Sequence, residues 1–150
     1  NGADALASHF QSEIGRFAGS DLPTFVAGKS MGGRIASLLA ADTAISEVIS
    51  GVIVLGFPFI PPGKPDKLTK RVSHFSSIPV PMLILQGERD TFGGRQLVSS
   101  LEFPDNLEVI FIPSGDHSFK PLKSSGLNQV DNMQLAAEES CKFIARCLND

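Results

Sequence analysis

Four short runs along the chain are nearly unbroken in apolar residues: 22–27 (LPTFVA), 51–57 (GVIVLGF), 81–86 (PMLILQ) and 107–112 (LEVIFI). Runs of this length without polar alternation predict strands buried on both faces, as in a parallel sheet. Glu108 interrupts the fourth, which predicts a place nearer the sheet edge. Helical spacing lies between and around these runs. Leu6, Phe10, Ile14 and Phe17 mark one face of a first helix that Gly19 is placed to end. Residues 31–41 follow the first strand with Ile35, Leu38 and Leu39 on one side, and Leu97 and Leu101 predict a helix before the fourth strand. Met133, Ala137, Cys141, Ile144 and Leu148 trace a face of a C-terminal helix. Strands and helices in this alternation predict right-handed βαβ units: an α/β domain, a mostly parallel sheet flanked by helices on both faces. Residues 58–80 break the rhythm. They hold Pro58, Pro61, Pro62, Gly63 and Pro65, then a short helical pattern over 68–75. Long connections of this kind are often functional.

Composition narrows the picture. The 150 residues, 42% of them hydrophobic, suffice for one core and one domain. A net charge of −3 argues against a nucleic-acid partner. Lys64, Lys67, Lys70 and Arg71 form a basic cluster interrupted by Asp66, which predicts a solvated face. Cys141 and Cys147 lie six residues apart in a predicted helix, so their Cα atoms are roughly 9 Å apart and beyond disulfide reach. They lack zinc-ligand spacing as well, and reduced thiols are compatible with a cytoplasmic location. No apolar run approaches the roughly 18 residues of a membrane span, no signal peptide is visible, and no metal or cofactor is implied.

The strongest chemical signal is Gly28-Lys29-Ser30-Met31-Gly32, a G-x-S-x-G sequence between a strand and a helix. A nucleophile elbow needs this setting: a sharp turn presents the serine hydroxyl at the end of the sheet, and Gly28 and Gly32 relieve crowding, with Gly33 adding room. A phosphate-binding loop would need a glycine five positions before Gly28, where Pro23 stands. A nucleophilic serine needs a base, and the base an orienting acid. Asp90 follows the PMLILQ strand and His117 follows the LEVIFI strand, in the chain order serine, acid, histidine. Glu88 is the substitute acid if Asp90 merely caps a turn. Asp116, beside His117, is read as a turn stabiliser, His9 as structural or superficial, and His74 as exposed. Phe57, Phe59 and Phe92 follow strand ends on the same edge, where they either line an acyl or leaving-group pocket or pack in the core. Lys29 beside the serine either faces substrate or forms a structural ion pair.

Together FVAGKSMGGRIAS, GFPFIPPGKPDKL, LILQGERDTFG and GDHSFKP resemble an α/β-hydrolase family. It is the small hydrolase-like group akin to testis-expressed protein 30 and NSL-complex subunit 3, with dienelactone hydrolases sharing the fold more distantly. The resemblance runs from about Leu22 to the C-terminus. It implies a serine-hydrolase triad of Ser30, Asp90 and His117, with the backbone N–H of Met31 as one oxyanion donor. The family draws its second donor from a loop after an early strand. Here residues 1–21 read as one helix and the chain begins with Asn. The expectation is therefore the C-terminal portion of a longer hydrolase domain, lacking N-terminal strands. Its strand 22–27 would expose an edge open to self-association. Two functions are carried forward: an enzyme cleaving the ester or related acyl bond of a small molecule, and a non-catalytic interaction module on the same fold. An intact triad favours the enzyme, since a scaffold has no need of Ser30 and His117 together.

Overall fold

The computed structural model describes residues 2–17 and 20–149. Gly19, the expected stop of the first helix, lies outside them. The elements run α1 (Gly2–Phe17), β1 (Phe25–Lys29), α2 (Met31–Ala40), α3 (Thr43–Ser46), β2 (Gly51–Leu55), α4 (Leu68–Val72), β3 (Met82–Gly87), α5 (Arg95–Ser99), β4 (Leu107–Ile112) and α6 (Gln129–Asn149). The four strands form one parallel sheet in the order β1-β2-β3-β4. Among the described residues no helix is long and apolar enough to cross a membrane.

The apolar runs divide as their chemistry requires. Throughout β2 and β3 side chains are buried on both faces, save Leu55 at the end of β2. β4 is an edge strand, as Glu108 implied, and that carboxylate meets Arg146 of α6 at 2.8 Å. β1 differs from expectation. It begins at Phe25 rather than Leu22, and Ala27 and Lys29 are exposed. Among the described residues it pairs with β2 alone, so it is an edge strand, as expected, but it is not covered on both faces.

Two apolar layers clamp the sheet. On one face Val26, Val52, Val54, Met82 and Ile84 meet Ile14 of α1, Ala36 and Ala40 of α2, and an aromatic cluster of Phe57, Phe59 and Phe75. On the other, Ile53, Leu83, Leu85 and Ile112 lie against Ala136 and Phe143 of α6. The buried face of α6 is thus turned about one residue from the expected one: Asn132, Ala136 and Phe143 face inward while Met133 and Leu148 are exposed. The cause is polar. Asn132 donates from Nδ2 to the carbonyls of Pro113 and Phe119 at 3.0 and 2.9 Å, fixing the rotation of the helix. Hydrophobic spacing takes no account of such an anchor. In α1, likewise, Phe10 and Ile14 pack inward, whereas Leu6 and Phe17 are exposed. Residues 58–80 contain a 3₁₀ turn (Pro65–Lys67), α4 and a second 3₁₀ turn (Phe75–Ser77). Cys141 and Cys147 form no disulfide.

Candidate active site

Ser30 sits between the last residue of β1 and the first of α2 with φ 52° and ψ −119°. A non-glycine residue in this region is strained, by about 1–3 kcal/mol, and such strain concentrates at functional positions. Its own N–H donates to Leu55 O of β2 at 3.0 Å, and its carbonyl accepts from Arg34 N at 3.0 Å, so both backbone groups are held. The turn is tight because strand and helix touch. A Cβ on Gly28 would lie 2.3 Å from the carbonyl carbon of Gly32, and one on Gly33 would lie 2.4 Å from Val54 Cγ1. Gly32 differs from the expectation: a Cβ there would meet nothing within 4 Å. The close approaches belong to Gly28 and Gly33, since Gly32 turns its own hydrogen outward.

The three residues expected to act together are brought together. Ser30 Oγ lies 2.8 Å from His117 Nε2, and His117 Nδ1 lies 2.7 Å from Asp90 Oδ2. Asp90 is buried and faces donors on every side: Phe92 N reaches Oδ1 at 2.8 Å, and the Gln86 side-chain amide reaches Oδ2 at 3.2 Å. A carboxyl group surrounded by donors acts as an acceptor, so Nδ1 of His117 carries the proton toward Asp90. Nε2 is then the lone-pair side, aimed at the serine hydroxyl. Phe92 lies against the imidazole with ring centroids 4.3 Å apart, limiting its movement.

Glu88, the substitute acid, is engaged elsewhere. It accepts from Ser114 N at 2.7 Å and pairs with Arg95 at 2.7 Å. The Ser114 amide first, then Arg95, hold its carboxyl below the usual glutamate value against a smaller opposing effect of burial. It ties the acid loop to the histidine loop. Asp116 accepts from Ser118 N and Lys120 N at 2.8 and 3.0 Å, stabilising the turn that carries His117.

Gln86 was not singled out from the sequence. It is fully buried at the end of β3, with Nε2 within 3.2 Å of Phe57 O, Gly93 O and Asp90 Oδ2, and Oε1 accepting from Phe57 N at 2.9 Å. It joins the ends of β2 and β3 to the acid. The available signal was a lone amide closing an otherwise apolar strand.

The surroundings bear on three further expectations. Phe57 and Phe59 are fully buried in the aromatic cluster, not in a pocket, because the chain turns back under the sheet edge after Gly56. His74 is not exposed: its Nε2 lies 2.8 Å from the buried Ser37 Oγ, and burial, then Arg34, lower its pKa to about 4. In the basic cluster Lys64, Lys67 and Lys70 are exposed, as a solvated face implies, and Arg34 joins them around a concavity. Lys29 donates to Ser118 Oγ at 3.2 Å. Both line a cavity of about 210 Å³ beside His117, whose floor is Leu55, Phe119, Met133 and Ala136. His9 is exposed on α1, in keeping with a superficial role. Met31 opens α2, where the first amides of a helix have no partner within it. Among the described residues no cluster of side chains suits a metal ion.

No curated protein matches the chain. Several solved structures share its fold. The esterase domain of a Rhodothermus marinus protein aligns with a TM-score of 0.56 at 13% identity, over 87% of this chain and 67% of that one. A Paleococcus ferrophilus monoacylglycerol lipase aligns with 0.59 at 13%, over 90% and 75%. An esterase from Pyrococcus furiosus aligns with 0.59 at 16%, over 97% of this chain and 59% of its own length. These likenesses establish fold, not substrate. Residues 1–145 match the alpha/beta hydrolase domain as a family. With a parallel sheet covered on both faces and a serine held on a strained strand-to-helix turn, this chain belongs to the alpha/beta hydrolase domain family.

Proposed function

We propose that this chain is a serine hydrolase that cleaves an ester or a related acyl bond through an acyl-enzyme. The observation that carries the reading is the unbroken relay from Ser30 Oγ to His117 to Asp90, at 2.8 and 2.7 Å. Its three members come from the ends of β1, β3 and β4.

In the first half-reaction His117 Nε2 takes the hydroxyl proton as Ser30 Oγ bonds to the carbonyl carbon, and the carbonyl oxygen becomes an oxyanion. This reading assigns the Met31 N–H at the head of α2 as the donor to that oxygen, with the helix dipole favouring its charge. The intermediate collapses when the alcohol departs with the proton from Nε2. Water, deprotonated at the same nitrogen, then releases the acid and restores Ser30. Asp90 keeps Nδ1 protonated and stabilises the imidazolium throughout. The small apolar cavity beside His117 suits a short acyl or alcohol chain of a small-molecule substrate, with Lys29 at its rim.

Hydrolysis of p-nitrophenyl acetate by the native chain, Ser30→Ala and His117→Gln tests the reading. Either substitution is expected to lower kcat by about 10⁴–10⁶. Equal turnover by all three proteins would overturn it.

A further inference from the structure

Between Arg34 of α2 and residues 64–71 lies a concentration of charge that the hydrolytic chemistry does not use. Arg34, Lys64, Lys67, Lys70 and Arg71 line, with Pro61, a cavity of about 330 Å³. Against these five cations residues 58–80 hold one acid, Asp66, which pairs with Lys67 at 3.6 Å, and α2 holds none. Arg71 spends one guanidinium nitrogen on Pro58 O at 2.8 Å. Arg34 Nε is buried with no hydrogen-bond partner. A buried donor in a native protein calls for a partner, and a bound ion is among the usual ones.

The arrangement is also electrostatically costly. Burial, then Arg34, lower the pKa of Arg71, and the same two causes keep the neighbouring His74 neutral. Like charges gathered around one concavity need a counter-charge, and among the described residues Asp66 is the carboxylate that pairs with them.

We propose that Arg34, Lys64, Lys67, Lys70 and Arg71 form a binding site for a phosphate-bearing anion. Two guanidinium groups offer the planar fork that matches phosphate oxygens, and three ammonium groups offer point charges at the rim. A single carboxylate would leave most of that charge uncompensated. The cavity has room for more than one phosphate. It begins one helical turn beyond the nucleophile, because Arg34 N bonds to Ser30 O. The phosphate therefore belongs either to a free oxyanion or to the far end of a substrate.

The test is calorimetric titration of the intact chain with inorganic pyrophosphate at ionic strength held constant with sodium chloride. Saturable binding at one site is expected. Arg34→Gln should weaken it tenfold or more, and so should Lys64→Gln, Lys67→Gln and Lys70→Gln combined, whose side chains are exposed and leave folding intact. Arg146→Gln, on the opposite layer, should leave it unchanged. Absence of saturable heat, or equal affinity in the native chain and both pocket variants, overturns the proposal. Where binding occurs, fluorophosphonate labelling of Ser30 separates the two sources. Labelling slowed by pyrophosphate assigns the site to a substrate phosphate, and unchanged labelling assigns it to a free oxyanion. A chain that takes no label leaves the titration standing, so failure of the hydrolase reading is distinguishable from failure of this one.

Discussion

Gln86 donates a hydrogen bond from its side-chain amide to Asp90 Oδ2 at 3.2 Å, the same oxygen that His117 Nδ1 reaches at 2.7 Å. The acid is thereby oriented by β3 itself as well as by its own loop. Replacing Gln86 with Leu leaves Phe57 N and Gly93 O buried without this partner, while Phe57 O keeps the Phe59 amide. Each such group costs about 1–3 kcal/mol. Urea unfolding of Gln86→Leu is expected to show a loss of about 2–4 kcal/mol, at the low end if the loops relax. A loss below about 0.5 kcal/mol would show that the network is not structural.

Asp90 and Glu88 stand two residues apart and are assigned opposite roles. Asp90→Asn should lower kcat by about 10³–10⁴ through the wrong imidazole tautomer, with little change in KM. Glu88→Gln should spare kcat and alter stability. Because its folded carboxyl titrates below the ordinary 4.5, the native advantage over Glu88→Gln is complete above that value. It is lost as pH falls through the lower folded value. Unfolding free energies of both proteins against pH check the sign.

His74 is held neutral, with a pKa near 4 against an ordinary 6.5. The unfolded chain binds this proton first on acidification. Stability owed to the neutral ring is therefore full above about 6.5 and declines as pH drops toward 4. His74→Gln, whose side-chain amide keeps a donor for Ser37 Oγ while that hydroxyl donates to Arg34 O, should flatten that decline in a thermal-denaturation series across the window. A parallel decline in both proteins would assign it to another group.

The two motif glycines should respond differently. Gly32→Ala enters open space in α2 and is expected to be tolerated, with a gain of up to about 1 kcal/mol from helix propensity. Gly28→Ala must displace the backbone of Gly32 and Gly33 and should abolish activity or folding. Circular dichroism melts and ester hydrolysis on both variants decide the matter.

The three residues proposed to act together were legible because each one follows a strand, and strand ends on a parallel sheet converge on one edge. Ser30, Asp90 and His117 needed only their order and the positions of β1, β3 and β4. The rest depended on which side of an element faces the core, and local spacing does not carry that. Asn132 rotates α6 away from its more hydrophobic stripe, and a polar anchor is invisible to hydropathy. Phe57 and Phe59 leave the sheet edge because the chain folds back beneath it. Arg34 meets the lysines of residues 64–70 only in the tertiary fold, so the cluster read as ordinary solvated charge. Gln86 carried a signal, a single amide at the end of PMLILQ, whose partners lie 29 and 7 residues away.

The most direct measurement is intact-mass analysis of the native chain and Ser30→Ala after exposure to a fluorophosphonate. An activated serine predicts one adduct on the native chain and none on Ser30→Ala. A folded native chain that takes no adduct, or a Ser30→Ala variant that takes one, would contradict the assignment of Ser30 as the nucleophile.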